Sequence, residues 1–285
     1  MTDGAGTLYV VATPIGNLDD ISLRARKVLE EVDLVAAEDT RRSGKLLDML
    51  GIRNQLISCH EHNETGRVPE LLERLTGGES IALVSDAGTP LVSDPGFRLV
   101  SAAAQAGIDV RPIPGCSAAI AAVSVAGLPT DQLLFAGFLP SGAAKRATRL
   151  EALKTNPATL IMYEAVHRVT ATLEALELAF GAERPIMAAR EITKLHECFY
   201  RGTIAEVREQ IAADAGGNKG EFTLVIQGAE QAEPSDADVD RTLKVLLGYL
   251  GVRQAADATA KILGTKKNAV YKRALELRES TDGEY

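Results

Sequence analysis

The feature that most constrains the fold is an alternation of short apolar runs and helical segments in the first half of the chain. Between Leu8 and Gly127, the runs LYVVA, DLVAAE, SIALVSD and DVRPIP are each followed by a segment whose apolar residues recur at helical spacing. Runs that are apolar throughout are typical of parallel strands covered on both faces. The pattern therefore predicts an α/β layer with a largely parallel sheet.

A second series of the same kind occupies residues 131–228. It begins with LLFAGFLP and ends with EFTLVIQG, with strand-like and helical segments between them. We therefore expect two α/β domains, 1–130 and 131–228. In an open sheet of this class, the loops that follow the strands are the place to look for a ligand.

The end of the chain has a different composition. Residues 229–240 are rich in acids and hold one large apolar side chain, Val239, which is typical of a linker. Residues 241–285 contain three short stretches with helical periodicity, separated at Gly251 and Gly264. This pattern predicts a small helical module of helix-turn-helix type.

Charge is divided unevenly along the chain. The formal net charge of −8 gives no reason to expect affinity for a phosphate backbone. Residues 241–278 nevertheless hold nine Lys or Arg against two acids, Asp257 and Glu276. A basic run is often only a solvated helical face, but the contrast with an acidic body favours a contact with nucleic acid.

Cysteine usage and hydropathy indicate the compartment. Cys59, Cys116 and Cys198 form no CxxC pair, which argues against a disulfide framework and against a zinc site. The opening MTDGAG has no basic segment followed by an apolar core, and no run approaches the roughly 18 apolar residues of a membrane span. We expect a cytoplasmic protein without a membrane contact.

Three loops after apolar runs bring glycine, proline and small residues together. They are TPIGN (13–17), DAGTP (86–90) and PGCS (114–117). Small residues let a ligand approach the main chain and be held by its amides and carbonyls. The patterns GxGxxG and GxxxxGK[ST] are absent from these loops, which argues against a nicotinamide cofactor and a nucleoside triphosphate. Asp94 and Pro95 are expected to cap and begin the next helix.

Three polar clusters also follow apolar runs. REITKLHE (190–197) is too polar to continue a buried strand. AEDTRR (37–42) includes Glu38 and Asp39, which are expected to cap the following helix. HEHNE (60–64) has metal-ligating side chains but fits no named metal spacing, so no metal is expected.

Taken together, the loops and clusters resemble the tetrapyrrole methylase superfamily, which binds S-adenosylmethionine between two α/β domains. Six motifs, ATPIGNLDDIS, AEDTRRSGKLL, SDAGTPLVSDPG, PIPGCSAA, YEAVHRV and REITKLHE, are similar in sequence and order to the ribosomal RNA small subunit methyltransferase I family. The resemblance covers about Leu8 to Gly228, and the basic tail is also similar. Ala165 and Val166 depart from the family, where we expect a small polar residue followed by proline.

The resemblance implies a fold, an activity and partners. The fold is two α/β domains of tetrapyrrole-methylase type with the cofactor cleft between them, plus a small C-terminal helical module. The activity is S-adenosylmethionine-dependent 2′-O-methylation of a cytidine ribose in the decoding region of 16S ribosomal RNA. The expected partners are that RNA or the small ribosomal subunit, and a second copy in a homodimer.

Particular residues are assigned to the cofactor and to the RNA. The expected cofactor-binding residues are Pro14, Ser85, Asp86, Ala87, Gly88, Ser117, Ala118 and Tyr163. The cations expected to contact RNA are Arg41, Arg42, Arg190, Arg253, Lys266, Lys267, Lys272 and Arg273.

Catalysis requires a group that handles the proton of the hydroxyl, because a ribose 2′-hydroxyl is barely ionised at neutral pH. Lys194 and Glu191 are the expected groups. A lysine acts as a base only if its pKa is lowered, whereas a glutamate needs only the right geometry. The sequence leaves the choice between them open.

Two other functions stay open. The same superfamily methylates tetrapyrrole carbons, and a vestigial cleft on a non-catalytic RNA-binding assembly factor would preserve the same motifs. Deletion of the basic tail separates the RNA enzyme from the tetrapyrrole enzyme, because only the former loses substrate affinity in a salt-dependent way. Equilibrium binding of S-adenosylmethionine argues against the assembly factor.

Overall fold

The computed structural model describes residues 5–214, 216, 220–230 and 235–282. The chain forms two compact units, Met1–Ala229 and Glu230–Tyr285. The first contains two five-stranded sheets, and the described part of the second contains three helices around their own apolar core. No helix among the described residues is long and apolar enough to cross a membrane.

The first sheet is entirely parallel, as the alternation of apolar runs and helical segments predicts. Its strands are β1 (Thr7–Val11), β2 (Leu34–Ala37), β3 (Leu56–Ser58), β4 (Ile81–Val84) and β5 (Asp109–Ile113), in the order β3-β2-β4-β1-β5. Its helices are α1 (Leu23–Glu31), α2 (Thr40–Leu50), α3 (Glu64–Thr76) and α4 (Phe97–Gln105).

The central strands are covered on both faces. Leu34 and Ala36 of β2 pack in one core cluster with α3 and α4, whereas Val35 and Ala37 pack in another with α1 and α2. Successive side chains of a strand point to opposite faces, so an unbroken apolar run marks burial on both. The expectation fails for β5, where Arg111 is exposed because this strand lies at the edge of the sheet.

The second sheet is mixed. Its strands are β6 (Leu133–Phe138), β7 (Thr159–Ala165), β8 (Pro185–Arg190), β9 (Cys198–Thr203) and β10 (Glu221–Ile226), in the order β6-β7-β10-β8-β9. Only β6 and β7 run parallel among these neighbouring pairs. The helices that follow β6 are α6 (Ala143–Leu153), α7 (Val169–Phe180) and α8 (Ile204–Ala213), and they cover one face.

The other face of the second sheet is covered by α5 (Ala118–Ala126), which sequence analysis places in the N-terminal domain. Ala122 and Val123 of this helix pack with Ile161 and Met187 of the sheet. The alanine-rich sequence of α5 lets the helix lie close to the strands. The packing therefore changes from one sheet to the other before α5, ahead of the predicted boundary at residue 130.

The second unit is a three-helix module formed by α9 (Asp236–Leu247), α10 (Val252–Leu263) and α11 (Lys267–Asp282). Leu243, Ala256 and Ala274, one from each helix, lie in its buried core. Gly264 ends α10 in the left-handed conformation, as predicted. The other predicted break is displaced, because α9 already ends at Leu247 and Gly251 is the N-cap of α10.

The predicted linker is too long at its C-terminal end. Helix α9 begins at Asp236, inside the range 229–240, and the Ser235 side chain caps it by accepting a hydrogen bond from Asp238 N–H. Asp236 and Asp238 lie in the first turn, where negative charge is stabilised by the helix dipole. Some of the acidic residues predicted to form a linker therefore belong to the first turn of α9. Residues 231–234 lie outside the described part of the chain.

Candidate active site

The loops predicted to bind a ligand meet at one edge of the first sheet. Because the strands are parallel, the loops after β1, β2, β4 and β5 emerge at their common carboxyl ends. Thr13 N–H donates to Gly88 O at 2.9 Å, and Gly88 N–H donates to Thr13 O at 3.0 Å. The Thr89 hydroxyl donates to Cys116 O at 3.0 Å. TPIGN, DAGTP and PGCS thus form a continuous hydrogen-bonded surface.

The second sheet completes a pocket over this surface. Since β10 is antiparallel to β7 and β8, Glu221 at its start lies beside Ala165 at the end of β7. The pocket has a volume of about 340 Å³. Residues that line it from the loops of the first sheet include Ile15, Glu38, Arg42, Asp86, Ala87, Gly88, Asp94, Ser117 and Ala118. Those from the second sheet include Phe138, Tyr163, Glu191, Lys194, Glu221 and Thr223.

Most of the residues assigned to the cofactor lie at this pocket. Those that line it are Asp86, Ala87, Gly88, Ser117, Ala118 and Tyr163. Pro14 and Ser85 are not among the lining residues. Ser85 is only 2% exposed, and its carbonyl accepts a hydrogen bond from the Thr13 hydroxyl at 3.3 Å. Ser85 therefore supports the loop from behind.

Two glycines let the loops approach each other. Gly88 has φ +85°, a left-handed conformation that glycine adopts without strain. A Cβ on Gly16 would lie 2.3 Å from Cγ of Lys194, which is closer than side chains tolerate. The first loop can therefore press against the turn after β8 only because residue 16 has no side chain.

Tyr163 connects α5 to the second sheet. Its hydroxyl accepts a hydrogen bond from Ala119 N–H at 3.2 Å, in the first turn of a helix whose N-cap Ser117 makes no side-chain cap. Its ring lies edge-on to Phe135 and Phe138, with centroids 5.1 and 5.5 Å away. Burial raises the pKa of Tyr163, so the phenol stays protonated at neutral pH.

Three carboxylates, Glu38, Asp86 and Asp94, form an acidic wall on one side of the pocket. Asp86 accepts a hydrogen bond from Asp39 N–H at 3.1 Å and pairs with Arg42 at 3.0 Å. Glu38 accepts a hydrogen bond from Asp86 N–H at 3.2 Å. These contacts fasten the loop after β2 to the loop after β4.

Two carboxyl groups of the acidic wall, Asp94 and Glu38, bind protons more tightly than exposed carboxylates do. Burial, reinforced by the negative charges of Glu38 and Asp86, raises the pKa of Asp94 to about 6, although a hydrogen bond with Ser85 acts in the opposite direction. Burial also raises the pKa of Glu38. Carboxyl groups that titrate near neutrality are suited to proton transfer.

Glu191 and Lys194 lie at the pocket, but their environment does not suit the predicted proton-handling role. Lys194 Nζ lies 2.9 Å from both Glu191 Oε1 and Glu221 Oε2. Burial lowers the pKa of Lys194, but these hydrogen bonds outweigh it and leave the pKa raised. Burial raises the pKa of Glu191, and hydrogen bonds with Lys194 and Glu221 N–H reverse that shift. The lysine stays charged, and the glutamate is a weakened base.

The three arginines assigned to RNA in the first unit differ in exposure. Arg41 and Arg42 are exposed at the start of α2, where Arg41 pairs with Asp39 at 2.7 Å. Asp39 also caps α2, as predicted, by accepting from Arg41 N–H. Arg190 is only 7% exposed and contacts Asp214 and the Tyr200 ring. The structure therefore does not support a phosphate contact by Arg190.

The five cations assigned to RNA in the module also divide into two groups. Lys267 pairs with Asp257 at 2.6 Å, and Arg273 holds Asp240 through two hydrogen bonds of 2.6 Å. The others, Arg253, Lys266 and Lys272, are exposed and have no ion pair in the described part of the chain.

The helix start predicted at Asp94 and Pro95 is wrong. Helix α4 begins at Phe97, and its N-cap Gly96 makes no side-chain hydrogen bond. The cap comes from elsewhere in the chain. Glu64 Oε1, in the HEHNE segment, accepts from Arg98 N–H at 2.8 Å and from Leu99 N–H at 3.2 Å. Glu64 is therefore committed to capping a helix.

Sequence reasoning missed part of the pocket. The sequence suggests a helix start at Asp94 and a cap at Glu38, but both residues line the pocket. Glu38 directly follows the buried strand β2, much as Asp86 follows β4, and this position was a signal that could have found it. Asp94 lies ten residues beyond the end of β4 and had no such signal. Phe222 and Thr223 carried no such signal, because β10 enters the site by its amino end and reads only as an apolar strand.

The fold is that of a known class. Residues 7–208 match the family described as Tetrapyrrole (Corrin/Porphyrin) Methylases, and residues 233–278 match the RsmI C-terminal HTH domain. Diphthine synthase superposes with a TM-score of 0.58 at 15% identity, covering 78% of this chain and 90% of that chain. Uroporphyrin-III-C-methyltransferase from Thermus thermophilus superposes with a TM-score of 0.55 at 21% identity, and the match covers 77% of this chain and 94% of that chain. The chain is a methyltransferase of the tetrapyrrole methylase class, which uses S-adenosylmethionine.

Sequence relatives narrow the class. Ribosomal RNA small subunit methyltransferase I of Pseudomonas aeruginosa is 49% identical over 275 residues, covering 95% of this chain and 98% of the relative. The protein of the same name from Mesorhizobium japonicum is 50% identical over 277 residues, covering 97% and 94%. The chain belongs to the ribosomal RNA small subunit methyltransferase I family.

Proposed function

We propose that this chain transfers a methyl group from S-adenosylmethionine to the 2′-hydroxyl of a cytidine ribose in the decoding region of 16S ribosomal RNA. The observation that carries the proposal is the pocket where the loops of the parallel sheet meet the second sheet, in a chain of this family. An RNA substrate of this kind would place the enzyme in the cytoplasm.

The residues of the pocket fit the methyl donor. Ala87, Gly88 and Ala118 have no long side chains, so a ligand can reach the main chain of both loops. The acidic wall favours a ligand that carries positive charge, as a sulfonium and an ammonium group do. The volume of about 340 Å³ lies within the ordinary range of ligand pockets. When bound, S-adenosylmethionine supplies a methyl group on a positively charged sulfur.

The protein's own contribution is first one of position. Holding the two reacting atoms in line replaces a bimolecular encounter by an intramolecular step, which supplies a large part of the rate. The loop after β4 is fixed for this purpose by the paired hydrogen bonds between Thr13 and Gly88. Tyr163 stays neutral and fixes the start of α5, which also lines the pocket.

The second unit supports RNA as the acceptor. The exposed cations Arg253, Lys266 and Lys272 are available to neutralise phosphates. Tyr249, 87% exposed, and Tyr271 offer aromatic faces on which unpaired bases can stack. These features favour RNA over a tetrapyrrole as the acceptor.

We also propose that the enzyme is a homodimer. The edge strand β6 and the helix α5 expose large apolar side chains, among them Ile120 at 61% and Phe138 at 55%. Exposed apolar surface beside an unpaired strand is typical of an association surface. Light scattering on the purified protein should give twice the chain mass; the mass of one chain would contradict this proposal.

Transfer of labelled methyl from S-adenosylmethionine to small ribosomal subunits from a strain lacking the enzyme tests the proposed function. We expect label in the RNA with the intact chain and much less with Asp86→Ala, because this substitution releases Arg42 and two loops. Label in a tetrapyrrole but none in RNA would favour the tetrapyrrole enzyme. Failure to bind S-adenosylmethionine would favour the assembly factor.

A further inference from the structure

Most carboxylates at the pocket are already committed to a cation. Glu191 and Glu221 share Lys194 at 2.9 Å, and Asp86 pairs with Arg42 at 3.0 Å. A carboxylate paired in this way is stabilised in its charged form and accepts a proton less readily. These three groups are therefore poorly suited to take a proton from a substrate.

The remaining carboxylates at the pocket are Glu164, Glu38 and Asp94. Glu164 is buried behind the surface, where it accepts from the Thr172 hydroxyl at 2.6 Å and pairs with Arg168 at 3.2 Å. Glu38 and Asp94 have no ion pair among the described residues, but Glu38 is engaged by Asp86 N–H. Asp94 is left with a neutral partner, the hydroxyl of Ser85.

The backbone holds Asp94 in place. Leu91 and Ser93 have φ +72° and +68°, left-handed conformations that are rare outside glycine. A Cβ on Gly96, at φ +122°, would lie 2.7 Å from Cδ2 of Leu83, so this loop packs directly on β4. A fixed loop keeps one carboxylate at a constant place on the pocket wall.

The groups around Asp94 suit a proton acceptor. Glu38 and Asp86 face it from the loops after β2 and β4, and Tyr163 faces it from β7. Arg42, a cation that also lines the pocket, is paired with Asp86. Burial raises the pKa of Asp94 to about 6, which leaves it ionised at pH 7 but more basic than an exposed aspartate.

We propose that Asp94 is the catalytic base that takes the proton of the acceptor hydroxyl, an inference that rests on the proposed ribose methylation. As the hydroxyl oxygen forms its bond to the methyl carbon, the carbon–sulfur bond breaks and its electron pair stays on sulfur. The proton passes from the hydroxyl to a carboxylate oxygen of Asp94 and is later released to water. Charge and atoms balance, because a cationic sulfonium and a carboxylate become a neutral thioether and a carboxylic acid.

Asp94→Asn tests this role, because the amide keeps the size and a hydrogen bond to Ser85 but accepts no proton. A general base contributes roughly 10²- to 10⁴-fold, so we expect kcat on small-subunit RNA to fall by that factor. The affinity for S-adenosylmethionine, measured by calorimetry, should fall by much less than kcat, because Glu38 and Asp86 still give the pocket wall its negative charge. Asp131→Asn, an exposed aspartate that does not line the pocket, is the matched control and should keep full activity.

The pH profile separates a base from a residue that only shapes the pocket. In the wild type, kcat/KM should fall as the pH drops through about 6, since protonated Asp94 cannot accept the proton. In Asp94→Asn this fall on the acid side of the profile, the acid limb, should disappear. A kcat within tenfold of the wild type, an unchanged acid limb, or a loss explained by weaker cofactor binding would overturn the proposal. So would a larger loss of kcat in Glu38→Gln.

Stability gives a readout that does not depend on activity. The folded pKa of about 6 lies above the ordinary value of 3.8, so the charged carboxylate destabilises the fold above pH 6 and the penalty vanishes below about pH 4. Asp94→Asn should therefore raise Tm at pH 7.5 and leave it nearly unchanged at pH 4. If the wild-type enzyme itself methylates no RNA, the proposed function fails; if only the variant data disagree, Asp94 is not the base.

Discussion

Gly88 illustrates how one residue determines the backbone conformation of the binding loop. Its φ of +85° and its two hydrogen bonds with Thr13 place the backbone of DAGTP at the pocket surface. We expect Gly88→Ala to lose about 1 kcal/mol of stability from the left-handed conformation. It should also weaken S-adenosylmethionine binding at least tenfold, because the new methyl group lies in the loop that lines the pocket.

The matched control is Gly127→Ala. Gly127 ends α5 with φ +70° and has no atom within 4 Å of an added Cβ. It should lose similar stability, as thermal unfolding would report, with cofactor affinity unchanged by calorimetry. Equal affinities in the two variants would show that the loop around Gly88 does not touch the cofactor.

The hydroxyl of Tyr163 supports a second prediction. Tyr163→Phe leaves Ala119 N–H without its acceptor at the start of α5. We expect a loss of about 1–2 kcal/mol of unfolding free energy by urea titration, because an unsatisfied helix N–H is costly. Tyr9→Phe, on β1, removes a hydroxyl that has no hydrogen bond within the described part of the chain, and it should lower the unfolding free energy by less. If Tyr163→Phe leaves the unfolding free energy unchanged, water replaces the phenol as the acceptor of Ala119 N–H.

The sequence predicted which residues line the pocket better than it predicted the chemical role of each. Ala87, Gly88 and Tyr163 were assigned to the pocket and line it. The sequence could not show that Lys194 is held by Glu221, because this partner lies 27 residues away on an antiparallel strand. Ion pairs between distant segments decide which groups can titrate, and local sequence carries no sign of them.

Among the elements, α4 depends on a cap supplied by another helix. Glu64 of α3 accepts from Arg98 N–H and Leu99 N–H while itself 5% exposed. Glu64→Ala should cost about 2–3 kcal/mol, since two buried donors at a helix start lose their acceptor. Chemical denaturation measures the loss. Glu61→Ala, an exposed neighbour, should be nearly neutral, and comparable losses in both variants would contradict the cap.

The elements themselves follow from local rules more closely than their packing does. Unbroken apolar runs predicted the parallel strands β2 and β4, and their burial confirms the reason. The position of α5 in the chain was predicted correctly, but the helix packs on the second sheet. Its alanine-rich surface allows this close packing. The mixed direction of the second sheet also lacks a local signal for β10, because this strand pairs with β7 and β8 across intervening elements of the chain.

At the scale of the whole molecule, charge is concentrated where RNA is expected to bind. Lys266→Gln with Lys272→Gln removes two exposed cations without an ion pair among the described residues. The slope of log K against log salt for RNA binding should fall by about 2, roughly one for each lost phosphate contact. Binding of S-adenosylmethionine should not change, because its pocket lies in the other unit.

A second pair of substitutions provides the comparison. Lys261→Gln with Lys267→Gln removes the same charge, but both lysines are held by Asp257. We expect a smaller change of the slope in filter-binding or anisotropy titrations over a range of salt. If the two double variants behave alike, phosphate contacts do not distinguish paired from unpaired cations, and only the net charge of the module matters.

Composition and helical spacing together predict an acidic body and a basic helical module, and the helices of that module confirm the second part. Neither feature could predict which cations have no ion pair. Arg273 lies on the same helix as Lys272, yet its guanidinium is paired with Asp240 on α9. Such pairing is fixed by how the three helices pack, so it becomes visible only in the folded module.

The position of the new methyl group is the most direct test of the proposed function. Small subunits from a strain lacking the enzyme would be incubated with the purified chain and S-adenosylmethionine, and their RNA would be digested and mapped by mass spectrometry. We predict a single added methyl, on the ribose of a cytidine in the decoding region of 16S ribosomal RNA. A methyl group on a base, a methyl group outside that region, or no transfer at all would contradict the account.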